Sequence, residues 1–553
     1  MKRKVIFNCM ATILGFMMTA CSLNEEIYDT ATPQSAILSR DDVDNALAGA
    51  YSSLNSILLF GRNALWSMYG YSDELYSTVG GPPGVISKKV DLNSGFGPFN
   101  GIWSQFYQGI SNANAIMDYV DLLDLNPEYE AKAVAEAKFL RGLYHFYLVQ
   151  SYGGVPIMTE VVDANSDFYP ARNTVDEVYA QIFKDFADAA ESLPLRPEQP
   201  SSETGRATKG SALGFLAKAN LVYANYLDLH GGNSTEYYTN AIEYSNQVIA
   251  SGEFQLVDDF DQLWEVSQEA ANAVEIVFAV KNTRDPSDFS NSGEGSFIPF
   301  LFAPNNRPNS IGSPNGMGSG LFRVQPWVME KYTQGDYEND YRTESSFLIE
   351  WQDQQNRTHT VFPFIPSQIA EGQSYISKYF DPDGLSNFGH ENDLYLMRYS
   401  EIFLIKAEAE NELNGPTQVA LDAFNVIRER ARRADGTPRQ MPMDLTLAEV
   451  RSKEDMRLKI FDERGLELVA EYNRWLDMIR MRYVDNTRTM YEYQIDEFLP
   501  SLITGLPRYV NGQWTNGRVH PSSVFPYEPK YLLWPIPANQ TSINPNLEQN
   551  PGW

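Results

Sequence analysis

The chain has 553 residues, with 43 Lys and Arg against 72 Asp and Glu, which gives a formal charge of −29 at pH 7. A surface this acidic repels phosphate backbones and anionic headgroups, so the composition weighs against nucleic-acid binding and predicts no basic patch for membrane contact. Hydrophobic residues make up 43% of the chain and aromatic residues 13%, which permits a large core and suits both helix packing and sugar binding.

The amino-terminal residues have the pattern of a signal peptide. Three basic residues at positions 2–4 precede an apolar stretch at positions 5–18. This stretch is shorter than the roughly 20 residues that a membrane-spanning helix needs. The sequence MTAC at positions 18–21 follows and resembles a bacterial lipobox, after which a cysteine becomes lipid-modified. The pattern therefore predicts a lipoprotein signal peptide.

Both cysteines of the chain lie in this amino-terminal region. They are Cys9 and Cys21, so cleavage before Cys21 leaves one cysteine and no disulfide partner. We expect residues 1–20 to be the signal peptide, residues 21–40 a tether and Cys21 the lipidation site. The alternative is an ordinary secretory signal in which Cys21 is incidental.

Helical periodicity dominates residues 41–253, the predicted N-terminal region of helical repeats. Asp41 and Asp42 are suited to cap its first helix, and Gly153-Gly154 with Pro156 to end its third. Ala-rich and aromatic-rich helices with short joins alternate here, which is typical of tetratricopeptide-type helix pairs. The helical segments are NALAGAYSSLNSIL, IWSQFYQGISNANAIMDYVDLL, EAKFLRGLYHFYLVQSY, TVDEVYAQIFKDFADAAESL, TKGSALGFLAKANLVYANYL and YYTNAIEYSNQVIASGEF.

The pattern changes twice in the rest of the chain. Residues 254–392 are rich in Gly, Pro, Asn and Ser, which predicts a loop-rich insertion with short strands. Residues 393–553 form the predicted C-terminal region, in which helices precede an irregular tail. Its helical segments are LYLMRYSEIFLIKAEAENELNG, TQVALDAFNVIRERAR and LTLAEVRSKEDMRLKIFDERGLELVAEYNRWLDMIR.

Several segments together resemble the SusD/RagB family of outer-membrane nutrient-uptake lipoproteins. They occur in the family's order and are YSDELY, EAKFLRGLYHFYLVQSYGGVPIMTE, LYLMRYSEIFLIKAEAENELNG, IFDERGLELVAEYNRWLDMIR and YLLWPIPANQTSINPNLEQNPGW. The resemblance implies a mostly α-helical fold with four tetratricopeptide-like helix pairs, capped by loops that form a shallow glycan-binding face. It also implies a lipid-anchored protein on the outer face of the outer membrane, which hands oligosaccharides to a SusC-like TonB-dependent transporter.

The carboxylates on the C-terminal helix are the residues that an enzyme would need. Glu463, Glu467 and Glu471 recur at a spacing of four residues, which could bring two carboxylates to the separation of a glycosidase pair. Arginines and apolar residues surround them, so we interpret them as structural ion pairs. Histidines show no metal-ligand spacing. We therefore expect no catalytic residue, no metal and no cofactor.

The residues that we expect to bind glycan lie in two loop neighbourhoods. Aromatic rings there can stack on sugar rings, while Asp, Asn and Arg can bond hydroxyl groups. Only Asp73 lies on a matched family motif, and core packing is the alternative for each aromatic residue. Trp103, Trp475 and Trp534 are assigned to packing. The candidates are Trp66, Tyr69, Tyr71, Asp73, Tyr76, Phe96 and Asn100 in the first neighbourhood and Phe289, Phe300, Phe302, Asn306 and Arg307 in the second.

The leading hypothesis is a non-catalytic surface lipoprotein that captures oligosaccharides for a transporter. A surface glycoside hydrolase and a peptide-binding scaffold that uses tetratricopeptide-like surfaces are the alternatives.

Overall fold

The computed structural model describes residues 37–163, 166–283, 295–305, 318–353, 355–360, 369–370, 374–384, 389–433, 437–510 and 513–553. The predicted signal peptide and Cys21 lie outside the described residues. The helices before the loop-rich insertion are α1 (Arg40–Asn55), α2 (Asn63–Tyr71), α3 (Pro82–Lys88), α4 (Gly97–Tyr119), α5 (Pro127–Tyr152), α6 (Val175–Ser192), α7 (Lys209–His230) and α8 (Thr235–Ser251).

Capping side chains fix where the long helices begin. Ser39 caps α1 by accepting a bond from the backbone N–H of Asp42. The predicted caps at Asp41 and Asp42 are therefore wrong, because both residues lie in the first turn, where their charge suits the helix dipole. Thr174 and Glu177 form a capping box at α6. The predicted stop of α5 is confirmed, since Gly153 follows its last residue with a φ of 74°.

The helices from the start of the loop-rich insertion onward include several short ones. They are α9 (Glu269–Asn272), α10 (Ile298–Phe302), α11 (Pro326–Tyr332), α12 (Tyr341–Ser346), α13 (Tyr399–Asn414), α14 (Gln418–Ala431), α15 (Lys453–Glu467), α16 (Asn473–Arg480), α17 (Met490–Tyr493), α18 (Leu499–Ser501) and α19 (Ala538–Ile543). The long helices α1, α4, α5, α6, α7, α8, α13 and α14 pack so that each contacts the next. This succession confirms the predicted mostly α-helical scaffold of paired helices.

The strands are short and form small separate sheets. They are β1 (Leu75–Tyr76), β2 (Ile276–Val280), β3 (Arg323–Val324), β4 (Phe347–Leu348), β5 (Glu350–Gln352), β6 (Thr358–Thr360), β7 (Ile369–Ala370), β8 (Tyr375–Ile376), β9 (Leu394–Arg398), β10 (Ile503–Val510) and β11 (Gln513–Gly517). Antiparallel pairs join β1 to β3, β2 to β9, β4 to β8 and β10 to β11, and the fifth sheet has three strands in the order β5-β6-β7. The pairing of β2 with β9 joins a strand in the first part of the insertion to the segment that directly follows the insertion.

One predicted helical segment is broken in the structure. The sequence predicts a helix over residues 445–480, but in the structure α15 ends at Glu467 and α16 begins at Asn473. Between them Ala470 and Tyr472 have φ values of 60° and 58°. Hydrogen bonds from distant tyrosines hold this turn, because the hydroxyls of Tyr69 and Tyr379 donate to the carbonyl of Ala470.

The irregular tail closes the core with aromatic rings. The rings of Trp475 and Trp534 stack with centroids 4.9 Å apart, and the ring of Phe99, which lies on α4, is 5.4 Å from that of Trp534. Asn550 secures the tail by donating hydrogen bonds to the carbonyls of Tyr152 and Trp534. Trp103, Trp475 and Trp534 are all buried, which confirms their assignment to packing.

No helix in the described part of the chain combines the length and the apolarity needed to cross a bilayer.

Candidate functional site

The structure corrects four predicted glycan contacts in the first loop neighbourhood. Tyr69, Tyr71, Asp73 and Tyr76 are all buried, so none offers a surface to a ligand. The reason is that α2 packs against α16 and α4, which draws every residue of α2 except Trp66, together with the loop after it, into the core. These four predictions are wrong for this structure.

Each of these buried side chains has a packing or bonding role instead. Tyr71 packs against the stacked pair Trp475 and Trp534, and burial raises its pKa well above the usual value. Arg474 donates two hydrogen bonds to the Asp73 carboxylate, at 2.7 Å and 2.9 Å. Tyr76 stacks on the ring of His520 at 4.7 Å.

Three other candidates of this neighbourhood keep some exposure. Trp66 is half-buried on α2, and Phe96 and Asn100 are half-buried at the start of α4. Phe96 meets Phe99 edge to face at 5.4 Å. Among the described residues, no group bonds the side-chain oxygen of Asn100.

The second neighbourhood is only partly covered by the structure. Phe289, Asn306 and Arg307 lie outside the described residues. Phe302 is buried against Tyr69, with ring centroids 5.2 Å apart, so its prediction as a glycan contact is wrong as well. Phe300 is half-buried on α10 and keeps an exposed part.

The two neighbourhoods meet at one place, which we call the aromatic edge and define as Arg62, Trp66, Phe297 and Phe300. The rings of Trp66 and Phe297 lie 6.3 Å apart in an edge-to-face arrangement, and Phe297 lies 5.2 Å from Phe300. The Arg62 guanidinium lies 4.8 Å from the Trp66 ring centroid, a cation–π distance. Burial lowers the pKa of Arg62, because the guanidinium has lost part of its water.

The indole nitrogen of Trp66 adds a polar feature to this edge. Within the described part of the chain it has no hydrogen-bond acceptor, although its atom is buried. Sequence reasoning missed Arg62, because nothing in the local pattern shows that its side chain folds back over Trp66.

A second feature near α1 and α4 was also missed by sequence reasoning. It is an open cavity of about 860 Å³, which we call the polar groove. The signal that could have found it is the repetition of amides on one face of α4, at Gln105 and Asn112. The groove is lined by Ala48, Gly49, Tyr51, Ser52, Ser53, Leu54, Asn55, Ser56, Gln105, Asn112, Thr204, Gly205, Arg206, Ala279, Val280, Lys281 and Thr283.

Two protein-family models match this chain. One, described as the SusD family, matches residues 274–553, which is half of the chain. The chain belongs to the SusD family. A second family model, described as "Starch-binding associating with outer membrane", matches residues 85–221. The resemblance inferred from the sequence is therefore confirmed.

Curated SusD relatives align with most of the chain at low identity. SusD-like protein P25 of Formosa agariphila is 24% identical over 576 aligned residues, and the alignment covers 96% of this chain and 96% of that protein. Starch-binding protein SusD of Bacteroides thetaiotaomicron is 23% identical over 460 residues, which is 76% of this chain and 72% of that protein.

Solved SusD structures share the fold. A SusD homolog from Bacteroides thetaiotaomicron superposes with a TM-score of 0.79 at 20% identity and covers 94% of this chain and 98% of its own. A structure titled as a laminarin-binding SusD-like protein gives a TM-score of 0.68 at 20% identity and covers 93% and 100%. A crystal structure with a xylogluco-oligosaccharide gives a TM-score of 0.70 at 20% identity, and the match covers 91% of this chain and 97% of that chain. The SusD-like helical fold is thus confirmed.

The glutamates of the SusD-like C-terminal helix and its following turn are ion-paired inside the fold. Glu463, Glu467 and Glu471 are all buried, which confirms their structural interpretation. Burial opposes the charge of Glu467, but its arginine partners outweigh burial and hold its pKa well below the usual range. The pairs are Glu463 with Arg342 and Arg428, Glu467 with Arg342, Arg398 and Arg430, and Glu471 with Lys378 and Arg398.

In the described ranges, no three His, Cys, Asp or Glu side chains are arranged to hold a metal ion.

Proposed function

We propose that this protein is a non-catalytic glycan-binding lipoprotein of the outer membrane, anchored through Cys21, which delivers oligosaccharides to a TonB-dependent transporter. Membership of the SusD family supports glycan binding, and the description of the second family model supports the membrane location. The observation that carries the proposal is the aromatic edge, where the partly exposed rings of Trp66 on α2 and Phe300 on α10 both pack against the buried ring of Phe297.

The chemistry of the aromatic edge suits a sugar ring. Trp66 and Phe300 offer apolar surface for the C–H face of a pyranose, while the Arg62 guanidinium offers donors for its hydroxyl groups. One sugar face on one ring removes on the order of 100 Å² from water, worth about 2 kcal/mol. A few such contacts, less the cost of association, give affinities from roughly millimolar to tens of micromolar.

Such weak binding is sufficient beside a transporter. A ligand released from a tethered protein meets the next binding site at an effective concentration of about a millimolar. Anchoring by lipid supplies that proximity, because a chain attached to more than one acyl group stays at the membrane.

Affinity electrophoresis of Trp66→Ala in gels that contain starch, laminarin or xyloglucan tests the glycan site. We expect the variant to lose about tenfold or more in affinity for a polysaccharide that retards the wild type, since one stacking contact is removed. The matched control is Phe168→Ala, which truncates an exposed aromatic residue outside the edge. Equal retardation of Trp66→Ala and wild type would count against the site.

Two further measurements test the rest of the proposal. Radiolabelled palmitate should enter the wild type and not Cys21→Ser, and labelling of both would refute anchoring at Cys21. Release of reducing sugars from the same polysaccharides should stay at the level of a protein-free blank, and turnover would favour the hydrolase alternative.

A further inference from the structure

We propose that the loop-rich insertion holds a second sugar site, which takes an oligosaccharide that carries free amino groups. The site is an open cavity of about 650 Å³, within the size range of small-ligand pockets. The choice of a sugar as the ligand rests on the proposed function, whereas the choice of a cation rests on the cavity itself. We call it the acidic cavity and define it by five carboxylates of its lining, which are Asp261, Glu265, Glu344, Asp383 and Glu391.

The fold of the insertion brings the walls of the acidic cavity together. Strands β4 and β8 pair, which places the end of α12 beside the segment that follows β8. The hydroxyl of Ser377 joins the two, because it donates a hydrogen bond to the carbonyl of Ser345 at 2.6 Å. Glu344 on α12 and Phe380 after β8 line the cavity together with residues from 261–267. Segments far apart in the sequence therefore surround one space.

The carboxylates of the acidic cavity are only partly compensated by cations of the protein. Glu344 lies 3.3 Å from Arg439, in a pair at the surface that contributes little. Three of the other carboxylates have no ion-pair partner within the described part of the chain, and these are Asp261, Glu265 and Asp383.

The one cation in the described lining of the cavity is already used inside the fold. Lys378 is fully buried and donates to the Glu471 carboxylate at 2.9 Å and to the carbonyl of Glu467 at 3.1 Å. Burial raises the pKa of Asp261, as expected for a carboxylate that loses water without gaining a cation. The cavity therefore attracts a cationic ligand.

A buried hydroxyl without a hydrogen bond is a second and independent sign of a ligand. Ser345 is 7% exposed, and its Oγ has no hydrogen-bond partner within the described part of the chain. This hydroxyl lies close enough to the Asp261 carboxylate to lower its pKa, although it forms no hydrogen bond of normal geometry with it. Both residues line the cavity, so the hydroxyl is directed at it. Trp264 also lines the cavity, and its buried indole nitrogen likewise lacks an acceptor in the described ranges.

An amino sugar matches these groups better than a neutral sugar or a basic peptide. Its ammonium groups form charge-assisted hydrogen bonds with carboxylates, and its hydroxyls can bond the unpartnered polar atoms of Ser345 and Trp264. The half-buried ring of Phe380 offers apolar surface for the C–H face of a pyranose. A neutral sugar lacks the charge, and a basic peptide lacks the flat face that packs on a ring.

Isothermal titration calorimetry on the full chain tests this inference with two trisaccharides. One is a glucosamine trisaccharide with the linkage of cellulose, and the other is cellotriose, which has a hydroxyl in place of each amine. At about pH 6 the amines are charged and most carboxylates are ionised. We expect the glucosamine trisaccharide to bind about tenfold or more tightly than cellotriose. The double variant Asp261→Asn/Glu265→Gln should reduce this ratio to below about threefold.

The matched control removes the same number of charges elsewhere on the surface. Asp121→Asn/Glu191→Gln changes two exposed carboxylates outside the cavity and should keep the wild-type ratio. An equal fall in the ratio for both double variants would show that the net charge of the whole chain attracts the amines, and it would overturn the cavity as the site.

The other outcomes separate this inference from the function on which it rests. Equal affinities for the two trisaccharides, or a wild-type ratio in Asp261→Asn/Glu265→Gln, would overturn the acidic cavity. Tighter binding of trilysine than of the glucosamine trisaccharide would refute a sugar as its ligand. Retardation of the wild type in gels that contain starch, laminarin or xyloglucan does not depend on these results. The aromatic edge can therefore stand when the acidic cavity fails.

Discussion

Replacement of Asp73 by Asn tests whether this residue holds the fold together or binds glycan. Its carboxylate accepts hydrogen bonds from Nε and Nη2 of Arg474 at 2.7 Å and 2.9 Å, and both side chains are buried. The pair joins the loop after α2 to the start of α16, 401 positions away in the chain. The amide of Asn has nearly the same shape but is neutral and offers one acceptor oxygen in place of two.

The expected loss in the free energy of unfolding is about 3 kcal/mol. Removing one partner of a buried ion pair costs roughly 3–5 kcal/mol, because the other charge is left without compensation. Glu74 offsets part of this cost, since its carboxylate lies 3.3 Å from Arg474. Burial raises the pKa of Glu74 to about 8, Arg474 opposes this and the charge of Asp73 adds to it. Loss of the Asp73 charge therefore lets Glu74 ionise more readily.

Urea unfolding followed by tryptophan fluorescence measures this loss. Asp41→Asn is the matched control, because Asp41 is exposed in the first turn of α1 and its charge is worth about 0.5 kcal/mol there. Coincident unfolding curves for Asp73→Asn and wild type would refute the reasoning. Normal stability together with lost glycan binding would restore Asp73 as a ligand contact.

Two further predictions concern packing and pH. Gly109→Ala should destabilise the protein by about 1–3 kcal/mol, since its Cβ would lie 2.3 Å from the Tyr144 ring. Gly49→Ala should stabilise it by about 0.5–1 kcal/mol, because a Cβ at Gly49 meets nothing within 4 Å on an open helix face. Thermal unfolding measures both, and shifts of the two midpoints in the same direction would contradict this reasoning. Because the pKa of Glu74 rises from 4.5 to about 8 on folding, the folded state holds its proton more tightly and wild-type stability falls as pH rises from 4.5 through 8. Glu74→Gln should flatten this fall by roughly 2–4 kcal/mol in urea titrations at pH 5 and pH 8.5, and parallel profiles would show that Glu74 does not cause it.

The sequence by itself determined most of the helical scaffold. The side chains that cap a helix and the glycines that end it act within one or two turns, as Thr174 and Gly153 do here. Neighbouring residues in the sequence therefore suffice to predict them. The family motifs likewise sufficed for the fold, because separate segments matched in one order. The break at Ala470 was missed, since the tyrosine hydroxyls that hold it come from other parts of the chain.

Only the tertiary structure decided which aromatic residues are buried and which keep exposed surface. Tyr71 and Trp66 lie on the same short helix. Tyr71 packs against Trp475 and Trp534 in the core. Trp66 contacts Arg62 and Phe297 and keeps part of its surface exposed. The burial of a side chain depends on contacts with segments far apart in the chain, so the local sequence does not predict it. The local pattern of a tyrosine in the core is the same as that of a partly exposed tryptophan, and only the packing of the helices separates them.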